Sequence, residues 1–290
     1  MFNGALTALV TPFRDGAVDE TALRELIEWQ IQSGIDGLVP CGSTGESATL
    51  THSEHDRVIK ITVEQTRKRV PVLAGTGSNS TAEAIRLTTA AREMGADGAL
   101  LLSPYYNKPT QDGIYKHYKM IAASVDLPLM VYNIPGRTAS NIMPETFHRL
   151  SEIRGIVGVK EAAGSMDQVS DMRRLCGERF TILSGDDALT LPIMALGGKG
   201  VISTTSNVMP REMHDLVAAA LEGDFVRARE IHYRMLPLMR ALFLETNPIP
   251  VKQALACMGK CANELRMPLV QMSPGLADRL KSAMKEARLI

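Results

Sequence analysis

Apolar residues along the chain gather into short runs set apart by turn residues: ALTALV, DGLVP, VPVLAG, DGALLLSP, LPLMVYN, GIVGVK, FTILSG and GVISTT. Each run is apolar throughout rather than alternating, the pattern of a parallel strand covered on both faces. Between runs lie amphipathic stretches such as ETALRELIEWQIQSG, TAEAIRLTTAAREMG and PETFHRLSEI, so the chain reads as a succession of βα units. Eight such units end near Leu221, and eight is the number that closes a parallel barrel. An internal echo supports the repeat, because SGIDGLVP, MGADGALLLSP and LGGKGVIST each end a helix at glycine and restart a strand shortly after. The competing arrangement, an open doubly wound sheet, lacks its usual mark: no G-x-G-x-x-G opens a helix after the first strand.

Beyond Leu221 the segments EGDFVRAREIHYRMLPLMRALF, PIPVKQALACMG and Pro274 to Ile290 keep helical periodicity with no strand between them. The expected fold is therefore α/β, a (β/α)8 TIM barrel over residues 1–223 with a helical C-terminal extension over 224–290 and no Ser-, Pro- or Gly-rich linker between them. A hydrophobic share of 45% and a charged share of 22% are those of an ordinary globular chain. Lys+Arg and Asp+Glu balance at 32 each, which leaves no net field for a nucleic acid or a membrane surface. With no basic leader and no apolar window near the roughly 18 residues of a membrane helix, a cytoplasmic location is the expectation. The four cysteines, Cys41, Cys176, Cys257 and Cys261, are too few and scattered for a disulfide framework and read as reduced thiols.

In a parallel barrel the chemistry belongs at the C-terminal strand ends, and there GIVGVKEAAG sets a lysine, Lys160, into the end of a buried strand. Strand alternation places Lys160 on one face with Gly158 and Ile156, with Val157 and Val159 towards the helices and Gly158 leaving a vacancy under the lysine. Burial moves a lysine pKa from about 10.4 towards 7 to 8, which yields a neutral amine able to attack a carbonyl. The plainer reading pairs Lys160 with Glu161 or Asp186 at the rim. Tyr132, in VYNIPGRT on the preceding strand, falls beside Lys160, and PCGSTGES brings a glycine-flanked hydroxyl cluster to the same rim. Arg137 supplies a fork suited to a carboxylate. No metal is expected: GSTGES lacks the lysine of a phosphate loop, and HSEH at His52 to His55 lacks zinc-helix spacing.

Taken together, TALVTPF, GSTGES, AGTGSNST, SPYYNKPTQ, YNIPGRT, GVKEA, LSGDDA, GVIS and NPIPVK resemble the pyruvate-dependent class I aldolases typified by dihydrodipicolinate synthase, over nearly the whole chain. The resemblance implies that pyruvate forms an imine with Lys160, with no other cofactor, and that the enamine attacks aspartate 4-semialdehyde to give 4-hydroxy-tetrahydrodipicolinate, a step of lysine and diaminopimelate biosynthesis. It implies Tyr132 as proton donor and acceptor, Ser43 as relay to a Tyr106 from a neighbouring subunit, Thr44 on the pyruvate carboxylate and Arg137 on the semialdehyde carboxylate. Carbonyls of Gly185 and Ile202 would line the site, in a homo-oligomer built as a tetramer of two tight dimers. Feedback inhibition by lysine would use Ser47, Ala48, His52, His55, Asn79, Glu83 and Tyr105. Ser43 stands where the synthases usually carry threonine, as in the sister N-acetylneuraminate lyases. Those lyases lack an arginine matching Arg137, and SPYYNKP and NPIPVK look like the synthase. The sugar-acid aldolase is the alternative; a non-catalytic ligand sensor is the remote one, disfavoured by the presence of Lys160 and Tyr132.

Overall fold

A computed structural model describes residues 2–290. The eight apolar runs form β1 (Gly4–Ala8), β4 (Gly37–Val39), β5 (Leu73–Gly75), β6 (Gly98–Leu102), β7 (Leu129–Asn133), β8 (Ile156–Glu161), β9 (Thr181–Ser184) and β10 (Gly200–Ser203), while β2 (Phe13–Arg14) and β3 (Ala17–Val18) make a small separate hairpin. The eight strands pair in parallel in the order β4-β1-β10-β9-β8-β7-β6-β5. The remaining seam, β4 to β5, is joined by a parallel bridge Leu38↔Val72 and by a Gly75 N–H donating to the Pro40 carbonyl at 2.9 Å. The result is a TIM barrel.

Helices α1 (Glu20–Gln32), α2 (His52–Thr66), α3 (Thr81–Glu93), α4 (Gln111–Ser124), α5 (Pro135–Thr138), α6 (Pro144–Ser151), α7 (Met166–Cys176), α8 (Thr190–Ala195) and α9 (Pro210–Leu221) connect and cover the strands. Local chemistry sets their ends. Asp19, Thr51, Ser80, Thr110 and Ser165 each accept a backbone N–H of the first turn, and Thr51 with Glu54 completes a capping box. Gly34, Gly95 and Gly197 take φ of 86°, 88° and 93° just past α1, α3 and α8. These are the glycines of the repeated SGIDG, MGADG and LGGKG stretches, and each reverses the chain from helix to strand in a conformation costly for a residue with a Cβ.

Beyond α9 come α10 (Phe225–Ala241), α11 (Ile249–Cys257) and α12 (Pro274–Glu286). Their apolar faces, with Ile231, Met235, Leu255, Leu280 and Met284, join Leu23, Leu38 and Ile59 of the barrel in one continuous core. A second core, around Leu101, Val131, Phe147 and Ile182, lies between strands and helices on the other side, and a third, with Leu6, Val39, Leu100, Met130, Leu183 and Ile202, fills the barrel.

One strand departs from simple alternation. Leu129 pairs with Ile156 but Met130 pairs with Gly158, so Val157 is an extra residue at a bulge in β8. Ile156 therefore packs with Val159 against the helices, and Val157 turns towards the barrel interior, the reverse of the strict two-residue reading. Downstream of the bulge the alternation holds and Lys160 points inward.

Candidate active site

The C-terminal rim gathers residues from widely separated places in the chain around an internal cavity of about 50 Å³. Lys160 and Tyr132 are register partners on neighbouring strands, and the Lys160 Nζ stands 4.2 Å from the centre of the Tyr132 ring. The turn after β4 contributes Ser43 and Thr44, α5 contributes Arg137, and Gly185 follows β9. Ile202 is buried in the barrel interior beneath them.

Lys160 has no carboxylate partner among the described residues. Glu161 faces the other side of β8, where it accepts from Asn133 Nδ2 at 3.0 Å, Gln168 Nε2 at 3.3 Å and the Ala163 N–H at 2.6 Å. Asp186 is occupied in capping the Ala188 N–H at 2.9 Å. The rim ion pair considered for Lys160 is thus not formed. Burial lowers the Lys160 pKa from 10.5 to about 8, with the negative charge of Asp187 opposing the shift and Arg137 adding to it. Burial also raises the Tyr132 phenol to about 12. The pair is a readily freed amine beside a phenol that stays protonated.

Room for the lysine stem comes from Gly185 rather than Gly158. A Cβ on Gly158 would meet the Thr181 carbonyl oxygen at 2.3 Å, so that glycine serves the close approach of β9. A Cβ on Gly185 would stand 3.1 Å from both Cγ and Cε of Lys160 and 2.8 Å from the Ala162 Cβ. Gly185→Ala is expected to displace the amine and lower kcat/KM for the reaction at Lys160 about 10²-fold with the fold intact, measured by steady-state kinetics and circular dichroism.

Two further residues belong here that the sequence did not single out. Asn247, just ahead of α11, donates from Nδ2 to the Thr44 hydroxyl at 2.9 Å, and its carbonyl accepts from Arg137 Nη2 at 3.0 Å. It lines the cavity with Lys160, and its segment NPIPVK was legible as a motif, but its neighbours lie far away in the chain. Asp187, buried, accepts from the Thr205 N–H at 2.9 Å and the Thr205 hydroxyl at 2.8 Å. It was hidden as the second of two adjacent aspartates. Arg137 has no acidic partner among the described residues, which leaves guanidinium donors open to an anion.

Tyr106 does not line this cavity; it stands 89% exposed on the loop after β6, held at φ 71°. Next to the first cavity lies a larger one of about 530 Å³, and Ser43, Arg137 and Asn247 line both. Its wall includes Ser47, Ala48, His52, His55, Glu83 and Tyr105. Asn79 stands apart from that wall, its carbonyl accepting from Asn107 Nδ2 at 3.0 Å. His52 is exposed on the first turn of α2 and faces Glu83 Oε1 at 3.1 Å. His55 is buried, its Nε2 2.9 Å from the Gly75 carbonyl oxygen, and burial lowers its pKa. Ser78 and His52 hold the Glu83 carboxyl below its ordinary range. Among the described residues, no three His, Cys, Asp or Glu side chains stand together as a metal site would need, and no helix is long and apolar enough to cross a membrane.

The family model described as the dihydrodipicolinate synthetase family matches residues 1–287. The 4-hydroxy-tetrahydrodipicolinate synthase of Syntrophus aciditrophicus is 58% identical over 290 residues, covering 100% of both chains. Among solved structures, dihydrodipicolinate synthase from Aquifex aeolicus is 52% identical, with a TM-score of 0.98 over 99% of each chain. The enzyme from Cyanidioschyzon merolae with lysine bound is 40% identical, with a TM-score of 0.97 over 100% of this chain and 99% of that one.

Proposed function

The chain belongs to the dihydrodipicolinate synthetase family, and from that premise we propose how its rim works as a lyase that condenses pyruvate with aspartate 4-semialdehyde to give 4-hydroxy-tetrahydrodipicolinate. The observation that carries the reading is the buried, unpaired Lys160 amine beside Tyr132. The free amine attacks C2 of pyruvate, the carbonyl oxygen leaves as water, and loss of a C3 proton converts the imine to an enamine. C3 then bonds to the aldehyde carbon of the semialdehyde. The semialdehyde's own amine replaces Lys160 at C2 as the ring closes, which frees the enzyme and balances the reaction at one water released.

Tyr132 passes protons to and from these intermediates, with Ser43 as the next hydroxyl. Thr44 holds the pyruvate carboxylate, Arg137 takes the carboxylate of the semialdehyde, and Gly185 lines the cavity, with Ile202 below it in the barrel core rather than in its wall. No cofactor beyond the imine itself is required. The relay ends at Tyr106 of a second copy, a role that fits its exposure on its own subunit. The assembly is then a homo-oligomer, a tetramer of tight dimers, in the cytoplasm with its small-molecule substrates. Residues 1–223 form the catalytic barrel and 224–290 a helical domain fused to its core. The lyase alternative rested on Ser43, and the relatives at 54–58% identity are synthases. Borohydride reduction with pyruvate, mapped by mass, and a coupled assay with semialdehyde test the reading. An adduct on Lys160 with product formation is expected, and an adduct with no semialdehyde turnover would return the search to sugar-acid aldehydes.

The pH dependence follows from the lysine. Only the free amine reacts, so kcat/KM for pyruvate is expected to rise with pH through an apparent pKa near 8 and to level above it. A profile flat from pH 6 to 9 would remove the amine as the titrating group.

The second cavity is the seat of lysine inhibition in this reading. Glu83 pairs with the lysine α-amino group, and His52, His55, Ser47, Ala48 and Tyr105 surround the rest, while Asn79, apart from the wall, is left out of the contact. Its support is the wall of the 530 Å³ cavity and the similarity to a lysine-bound relative. Millimolar lysine is expected to reduce turnover in the parent and to lose its effect in Glu83→Gln; full activity in lysine with no calorimetric signal would end it.

A further inference from the structure

The turn that carries Ser43 and Thr44 ends at Glu46, which is held from outside the turn. Glu46 sits at φ 52° and ψ 37°, a left-handed conformation that an L-residue keeps only when its surroundings fix it. Its carboxylate is fully buried and in direct contact with the Lys252 ammonium, likewise fully buried, on α11. The Lys252 Nζ also donates to the Glu264 carbonyl at 2.8 Å and lies 4.0 Å from the centre of the Phe13 ring. The Arg266 N–H donates to the second Glu46 oxygen at 3.1 Å. Five residues before Lys252, Asn247 holds the Thr44 hydroxyl and the Arg137 guanidinium. The C-terminal segment therefore grips the hydroxyl turn at two points, through an amide at Thr44 and an ion pair at Glu46.

We propose that the buried Glu46–Lys252 pair is a positioning clamp: it sets the turn so that Ser43 and Thr44 meet the substrate bound at Lys160. Neither residue lines the cavity around Lys160, so both act through the turn. The inference rests on the imine reading of the site. It goes beyond that reading by giving the C-terminal helices a share in the chemistry. A buried pair is weak evidence of stability, since replacing both partners by groups of similar size is often neutral, whereas removing one strands a charge. That asymmetry allows the test to separate position from stability.

Two variants are compared with the full-length parent. In the double variant Glu46→Gln with Lys252→Met, both charges are removed together. In Glu46→Asp the charge stays, in a residue tolerant of left-handed φ, but the carboxylate is drawn back by one methylene, so keeping the pair moves the turn. Each is read by thermal melting, hydrogen exchange of the 41–50 segment, borohydride trapping of pyruvate and kcat/KM. The clamp predicts, in Glu46→Asp and in a folded double variant, parent-like melting, faster exchange of that segment alone, and a roughly 10- to 10²-fold fall in kcat/KM for pyruvate. Trapping at saturating pyruvate should persist, because the amine is untouched. Unchanged exchange of the turn overturns the proposal whatever the activity, and faster exchange with parent-like kcat/KM overturns its catalytic part. A double variant that does not fold leaves the decision to Glu46→Asp. A parent that turns over no semialdehyde fails the functional reading instead, while exchange and pyruvate trapping still decide the clamp.

Discussion

Replacing Lys160 by methionine is expected to abolish the borohydride-trapped pyruvate adduct and lower turnover by about 10⁴-fold or more, because among the described residues no other amine lines the 50 Å³ cavity to take over. Stability should move the other way. The folded-state pKa of the amine is depressed, from 10.5 to about 8, so the folded protein resists protonation that the unfolded chain accepts. That penalty, roughly 3 kcal/mol, is fully present below pH 8 and fades as pH rises from about 8 to about 10.5. The methionine variant should accordingly melt several degrees above the parent at pH 7, with the gap closing towards pH 10.5. A variant that melts well below the parent at pH 7 would mean that the amine is stabilised by its surroundings, contrary to a site built to release its proton. Residual condensation near the parent level would refute Lys160 as the nucleophile.

Tyr132→Phe carries the second large effect. The ring remains to pack against Lys160 and the interior core, so folding should be unaffected, but the phenolic proton is gone. Turnover is expected to fall about 10²- to 10⁴-fold, the range for losing one general acid–base group. The imine should still form, more slowly, and be trapped on Lys160 given longer exposure to pyruvate. A KM change with kcat preserved would recast Tyr132 as a binding residue, and parent-like kinetics would take it out of the proton path.

Much of this protein was legible before its fold was seen, and for a definite reason. The eight strands announced themselves because a strand covered on both faces must be apolar at every position. The three glycines at φ near 90° were visible because helix-to-strand reversals leave few alternatives. Lys160 and Tyr132 stood out because a lysine and a tyrosine ending consecutive apolar runs must meet when those runs pair in parallel.

Other features were not in reach. The extra residue at Val157 inverts the expected faces of Ile156 and Val157, and a bulge has no local signature in an all-apolar run. Gly158 and Gly185 are alike as letters; only the positions of the Thr181 carbonyl and the Lys160 stem show that the second makes room for the amine. His55, one turn beyond the exposed His52, is buried because α2 lies against the end of β5.

What the sequence by itself determined, then, is what neighbouring residues decide among themselves: element type, helix ends, and which strand tips carry reactive groups. What only the tertiary structure decided is who meets whom across long intervals. Asn247 reaches Thr44 and Arg137, and Lys252 reaches Glu46, because barrel closure and the shared core of α10 to α12 bring the C-terminal segment over the rim. The shift of the Lys160 amine belongs to the same class, since it is caused by water being excluded from the rim, a property of the packed molecule that no stretch of chain possesses alone.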